Sequence, residues 1–306
     1  MTAPQPRDTR GDHGSLMRRA TYASVSVALV LIMLKFVAWL ATGSVAMLAT
    51  LVDSMLDAAA SLVNLFAVRQ ALTPADREHR FGHGKAEPLA GLVQSAFIAG
   101  SALFLFVEVA RRLVEPQAVE RGALALVVMA ISIVMTLGLV SFQRYVVRKT
   151  ASLAISADKL HYLGDMLANA SVAVALVLAT QFGLHWADPI FGGGIAIYIV
   201  WSAWEIIRQS LDQLMDRELP DEERKRIREI AQSHPEVKAV HDLRTRASGR
   251  DIFIQFHIEL DRAATLVRAH EISDAVEARL REAFPAAEVI IHQDPEGLDE
   301  PRATFR

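Results

Sequence analysis

Apolar positions along this chain come in long, nearly unbroken blocks, and the blocks stop abruptly about two thirds of the way along. The hydrocarbon core of a bilayer takes about 20 predominantly apolar residues in a helix, and six stretches qualify, roughly residues 21–41, 45–71, 88–113, 120–146, 155–180 and 187–213. Residues 216–306 carry a charge every few positions. They open on Asp216-Arg217-Glu218-Leu219-Pro220 and then Asp221, Glu222 and Glu223, the acidic first turn of a soluble helix behind a proline. Further on, Ile252, Ile254, Phe256, Ile258 and Leu260 alternate with Phe253, Gln255, His257 and Glu259, the period of a half-buried strand. The pattern predicts a six-helix transmembrane bundle over residues 20–213 after a polar tail at 1–19. A ferredoxin-like α+β domain over 214–295 follows, with helix 221–233, strands 237–246 and 251–260, helix 265–284 and strand 287–293, before a tail at 296–306.

Composition narrows the chemistry. A formal charge of −3 provides no basic field, which excludes nucleic-acid binding on electrostatic grounds. The chain has no cysteine, so disulfides and thiolate-held zinc are excluded and any metal must be held by His, Asp or Glu. The first apolar run is too long for a signal peptide and lacks a small-residue cleavage site, which predicts a retained helix. Lys and Arg concentrate before the first span, in the 69–85 loop and at Arg144, Arg148 and Lys149. The segments Thr42-Gly43-Ser44 and 181–188 have neither, although Arg111, Arg112 and Arg121 blur the third connection. Basic loops stay inside, so both termini are expected in the cytoplasm.

Asp53 and Asp57 sit inside the second apolar block, four residues apart and so on one helical face. Each costs about 2.5 to 3.5 kcal/mol at membrane depth, and such groups normally mark an ion or proton path. The fifth block repeats the spacing with His161 and Asp165. If the two helices face each other, three carboxylates and one imidazole form a tetrahedral set with the count and hardness of a zinc site, zinc being the first expectation, and one that also admits iron(II), cadmium, cobalt or manganese. The plainer reading has each pair neutralised by a lysine such as Lys35 or Lys159, or lying among the headgroups. Carboxylates and imidazole bind metal only when deprotonated, so this inventory is also a basis for metal/proton exchange.

Other candidates carry weaker signals. Asp76, His79 and His83 have spacing that can converge on a cation, yet loop histidines followed by glycine are more often solvated than ligating. His292 and Asp294 lie two apart on one strand face, and His257 takes the polar phase of another strand; an ordinary polar sheet face explains them equally. His13, His185 and His234 match no motif and are expected at the surface.

Gly43-Ser44 before Asp53 and Asp57, the run from Pro74 to Glu87, His161 with Asp165, Asp188-Pro189, the run Leu214 to Glu223, His241 to Arg246 and Val289 to Pro295 together resemble the cation diffusion facilitators, in particular the bacterial ferrous-iron and zinc efflux subfamily. The resemblance runs from about Leu16 to Pro295. It implies a non-enzymatic homodimer in the bacterial inner membrane that exports zinc, iron(II) or cadmium against protons by alternating access, with Asp53, Asp57, His161 and Asp165 as transport site. It also implies a second zinc site at Asp76, His79 and His83, and a binuclear cytoplasmic zinc site at His241, His257, His270, His292 and Asp294. Lys85 and Asp216 correspond to a salt bridge joining the third and sixth helices at the dimer interface, a network that Glu87 and Arg208 could join. His161 argues against a manganese specialist. Two rivals remain: a membrane metal sensor, which lacks an output module here, and a proton-coupled carrier of an organic solute, for which no suitable intramembrane groups are present.

Overall fold

The computed structural model of the chain describes residues 9–43, 45–114, 123–182 and 187–297. Two compact units emerge, residues 1–211 and 212–306. The expectations placed on Arg121, His185 and the tail beyond 297 lie outside the described residues.

The first unit consists of long helices: α1 Thr9–Thr42, α2 Val45–Ala71, α3 Ala86–Val114, α4 Ala123–Thr150, α5 Leu153–Phe182 and α6 Ala187–Leu214. Among the described residues, α1, α2, α3, α4 and α6 each hold a stretch long and apolar enough to cross a membrane. Helix α5 is 30 residues long, about 45 Å of helix, and carries the polar groups Asp158, His161 and Asp165. Helix α1 starts at Thr9, well before the predicted apolar boundary at 21. Hydropathy marks where lipid contact begins, whereas Leu16, Met17, Arg18, Arg19 and Ala20 are good helix formers that carry the helix back to Leu16; propensity does not explain its first turns, which hold Gly11 and Gly14.

Three apolar contacts define the bundle. Met17 and Ala20 of α1 meet Val68 of α2, Ala90 of α3, Val146 of α4 and Ile155 of α5. Ile98 and Ala102 of α3, Ala157 and Leu160 of α5 and Ile199, Ala203 and Ile206 of α6 form a second cluster. Tyr162 of α5 packs with Leu139 and Val140 of α4. Gly91 sets the α3–α6 approach, because a Cβ there would lie 2.5 Å from Ser210 Oγ. Helices α4 and α5 are joined by Ala151 and Ser152 alone, with Ala151 in the left-handed region at φ 51°, so the two run antiparallel side by side.

The second unit runs α7 Asp221–Gln232, β1 Ala239–Ser248, β2 Asp251–Leu260, α8 Leu266–Ala283 and β3 Ala287–Pro295. Strand β2 is central, antiparallel to β1 and parallel to β3, with α8 as the crossover. The domain is thus the αββαβ portion of a ferredoxin-like order, with three strands. Ile254, Phe256 and Ile258 of β2 bury against Ile227 and Ala231 of α7 and Ile272, Val276 and Leu280 of α8. Thr265 caps α8 by accepting from the Arg268 N–H. Because strand side chains alternate, the other phase of β2, which holds Gln255, His257 and Glu259, faces away from both helices.

Candidate metal centres

In the first unit, helices α2 and α5 present their paired ligands to each other. His161 Nε2 lies 3.0 Å from Asp57 Oδ1 and 3.7 Å from Asp165 Oδ2. One ligand atom from each of Asp57, His161 and Asp165 falls within 4.8 Å of the others, and the 3.0 Å and 3.7 Å separations from His161 Nε2 lie on either side of the spacing of about 3.3 Å that tetrahedral zinc with bonds of about 2 Å requires. Asp53, one turn from Asp57, is outside that trio but lines the same cavity of about 450 Å³, together with Asp57, His161 and the α3 residues Val93, Phe97, Gly100 and Ser101. The cavity is apolar apart from the ligands and Ser101, and α2 and α3 supply all of its lining but His161. Asp165 Oδ2 is buried and accepts no hydrogen bond among the described residues, so it has a lone pair free for a cation.

Sequence reasoning passed over what lies behind this trio. Asp158, one turn before His161 on α5, is fully buried; its Oδ2 accepts from Ser24 Oγ of α1 at 2.6 Å and from Gln143 Nε2 of α4 at 2.7 Å. Tyr162 Oη shares a hydrogen bond with Ser61 Oγ of α2 at 2.8 Å. These contacts tie α5 to three neighbours and fix the rotation that aims His161 at α2. The available signal was a third acid, Asp158, inside an apolar block.

Between α2 and α3, Asp76, His79 and His83 also converge within 4.8 Å. Asp76 Oδ1 accepts from the backbone N–H of His79 at 2.6 Å and of Glu78 at 2.9 Å, and Oδ2 lies 3.4 Å from His83 Nε2. The His79 N–H, then that of Glu78, holds the Asp76 carboxyl below the usual carboxylate range, which keeps it anionic. His83 Nδ1 faces the Thr73 carbonyl at 3.3 Å, a contact that orients the ring with Nε2 toward Asp76. Lys85 is in the same loop. Glu87, suggested for the Lys85 network, is buried at the start of α3 and accepts from Ser152 Oγ at 2.6 Å.

The third group lies on the open face of the sheet. His241 pairs with His257 across β1 and β2, and His257 pairs with His292 across β2 and β3, giving one row of three imidazoles. Asp294 is buried beneath the row. Its Oδ2 lies 2.8 Å from His257 Nδ1 and 3.2 Å from His241 Nε2, and its Oδ1 lies 3.2 Å from His292 Nε2. With both oxygens engaged, this carboxylate has the geometry to bridge two cations. Two further acids join that the sequence did not suggest. Glu259 Oε1 is 3.3 Å from His241 Nδ1, and Asp242 Oδ2 is 3.8 Å from His257 Nε2. Asp242 should point to the opposite face from His241, but the register shifts between His241 and Arg244 and Asp242 takes φ 48°, so the bulge turns its carboxylate back toward the row.

His270 is not brought to this group. It stands on α8, which covers the other face of the sheet, with its side chain 71% exposed and Nε2 3.5 Å from Asp274. Asp216, just past α6 at φ 55°, meets Arg246 Nη1 at 3.4 Å within the second unit.

Residues 21–215 match the cation efflux transmembrane domain, and residues 219–296 match the cytoplasmic domain of cation efflux proteins. The cation-efflux pump FieF of Klebsiella pneumoniae is 50% identical over 286 residues, 94% of this chain and 95% of the pump. FieF of Shewanella oneidensis is 49% identical over 279 residues, 91% of this chain and 94% of the pump. A solved structure of CzrB in its Zn form shares 36% identity over 28% of this chain and 99% of its own, with a TM-score of 0.27. With six long helices, a small α+β domain and relatives that are pumps over nearly their whole length, the chain belongs to the cation efflux family, the cation diffusion facilitators, and is a multi-pass membrane transporter of metal cations rather than an enzyme.

Proposed function

We propose that the protein expels divalent transition-metal ions, zinc foremost and iron(II) or cadmium as further substrates, from the cytoplasm across a bacterial inner membrane in exchange for protons. The observation that carries this reading is the meeting of Asp57 with His161 and Asp165 from a second helix, beside a cavity that Asp53 lines. Metal binds these groups only in their deprotonated form, so loading the ion displaces protons from the same atoms and unloading returns them. Rocking of the helices around that point gives alternating access. Both termini lie in the cytoplasm in this scheme, and the protein works as a homodimer. The row His241, His257 and His292 over Asp294 binds metal as its cytoplasmic level rises. His270, exposed on the far side of its own domain, reaches such a site from a second protomer.

The test is flux in proteoliposomes loaded with a pH-sensitive dye, run in parallel with zinc, iron(II) and cadmium, with Asp57→Ala as control. Zinc movement accompanied by an opposite movement of protons, both absent in the control, is the expected result. Zinc movement at unchanged rate without proton counterflow would refute the exchange. Zinc binding with no flux would instead favour a sensor, and flux of an organic solute that ignores zinc would favour a carrier of another kind.

A further inference from the structure

Lys35 lies within the apolar run of α1, seven residues before its end at Thr42, about 10 Å along the axis. A lysine so close to a helix end ordinarily snorkels, laying its stem along the lipid and its head among the headgroups. Here the head turns across to α2. Nζ donates to Ser54 Oγ at 2.6 Å and to the Thr50 carbonyl at 3.1 Å. Ser54 is buried and directly follows Asp53, and Thr50 lies one turn before Ser54, so the ammonium is anchored on the turn of α2 that carries the first carboxylate of the transport set. Both acceptors are neutral. Pinning a charge there by neutral groups costs the half-buried lysine part of its hydration, and Asp53, on the same turn of α2, is an opposite charge that offsets it.

The charge count gives that placement a purpose. A metal-loaded set has its three carboxylates ionised. A dication alone leaves one negative charge unbalanced inside the bilayer, where net charge is expensive. With Lys35 added, the four ligands, the dication and the ammonium sum to zero; Asp158, buried behind His161, stands outside this count. The same ammonium repels the dication, which weakens its hold on the ligands.

We infer that Lys35 is a fixed internal cation of the transport site, set on the side nearer the α1–α2 connection, that neutralises the loaded carrier and limits how tightly it holds a divalent ion. The inference rests on the metal-transport reading above. Lys35 acts through the field at the site and is a positioning residue, not a ligand. In the orientation proposed above, the α1–α2 connection is on the outer side, so the repulsion helps the ion leave outward.

Three substitutions separate charge from anchoring. Lys35→Gln keeps donors for Ser54 and Thr50 but no charge, Lys35→Met keeps only the apolar stem, and Lys35→Arg keeps the charge. Each full-length variant is checked for monodispersity, then measured for equilibrium zinc binding and for zinc flux in vesicles. The expected result is a zinc Kd and KM lower by about tenfold in Lys35→Gln and Lys35→Met, with turnover lower by a similar factor, and Lys35→Arg close to the parent. Parent-like behaviour of Lys35→Gln, or weaker zinc binding in it, overturns the inference and makes Lys35 a helix tie. A parent that moves no metal defeats the transport reading itself, which is a distinguishable failure.

Discussion

The membrane trio and the sheet row use the same ligand types but leave them in different states of satisfaction. In the bundle, His161 sits between Asp57 and Asp165, and one buried oxygen of Asp165 accepts no hydrogen bond among the described residues. On the sheet, both oxygens of Asp294 are engaged by three imidazoles, with Glu259 and Asp242 adding charge at the edge. The first arrangement stays open to a cavity and suits a ligand set that must exchange its occupant. The second lies on the open face of a hydrogen-bonded sheet, with His292 63% exposed, and suits binding that alters stability more than it supports turnover. In the proposed function helices supply the mobile site, because whole helices rotate against one another at little cost to their internal hydrogen bonds, whereas moving β2 against β1 or β3 breaks a ladder.

The largest break in this comparison should come from Asp57→Ala. Zinc flux is expected to fall by at least about 100-fold while metal bound by the cytoplasmic domain of the full-length protein is unchanged, as read by flux and by equilibrium dialysis. Asp294→Ala should do the reverse. Cytoplasmic zinc affinity should weaken by about 10- to 100-fold with flux at saturating zinc retained, because a shared carboxylate is lost from one centre only. Gly91→Ala tests the frame rather than the ligands: the added methyl meets Ser210 Oγ, and a loss of about 1 to 3 kcal/mol in detergent unfolding is expected.

Smaller effects sharpen the boundary. His83→Ala in the loop group should change zinc KM by less than about tenfold and leave turnover intact, since none of the membrane ligands is touched. The weakest effect belongs to Glu236, whose carboxyl Arg268 holds below its ordinary 4.5. A carboxyl depressed in the folded state contributes stability that is present above 4.5 and is lost as pH falls through the folded value. Glu236→Gln should therefore lower the thermal midpoint slightly at neutral pH and low salt, and the difference should vanish in acid.

The spacing of Asp53 with Asp57 and of His161 with Asp165 was legible because a helix brings every fourth residue back to the same face. That α2 and α5 turn those faces toward each other was not, because the rotation of α5 is set by Asp158, Ser24, Gln143, Tyr162 and Ser61 on four different helices. The sheet shows the same division. Alternation placed His257 opposite the core and His292 in phase with Asp294, yet Asp242 reached the row only through a bulge, which no alternation encodes. His270 was grouped with the others by resemblance, and in one protomer it stands on the helix across the sheet.

By itself, the sequence determined what depends on local period and composition: the apolar lengths that must lie in lipid, the change of texture that starts the second domain, and the absence of thiols that leaves His and Asp as ligands. Only the tertiary structure decided which faces meet, that the Lys35 ammonium crosses to Ser54 and the Thr50 carbonyl of α2, and which acids surround the histidine row. Those are contacts between residues far apart in the chain, selected by packing and by the need of buried polar groups for partners, and neither requirement leaves a periodic trace in the sequence.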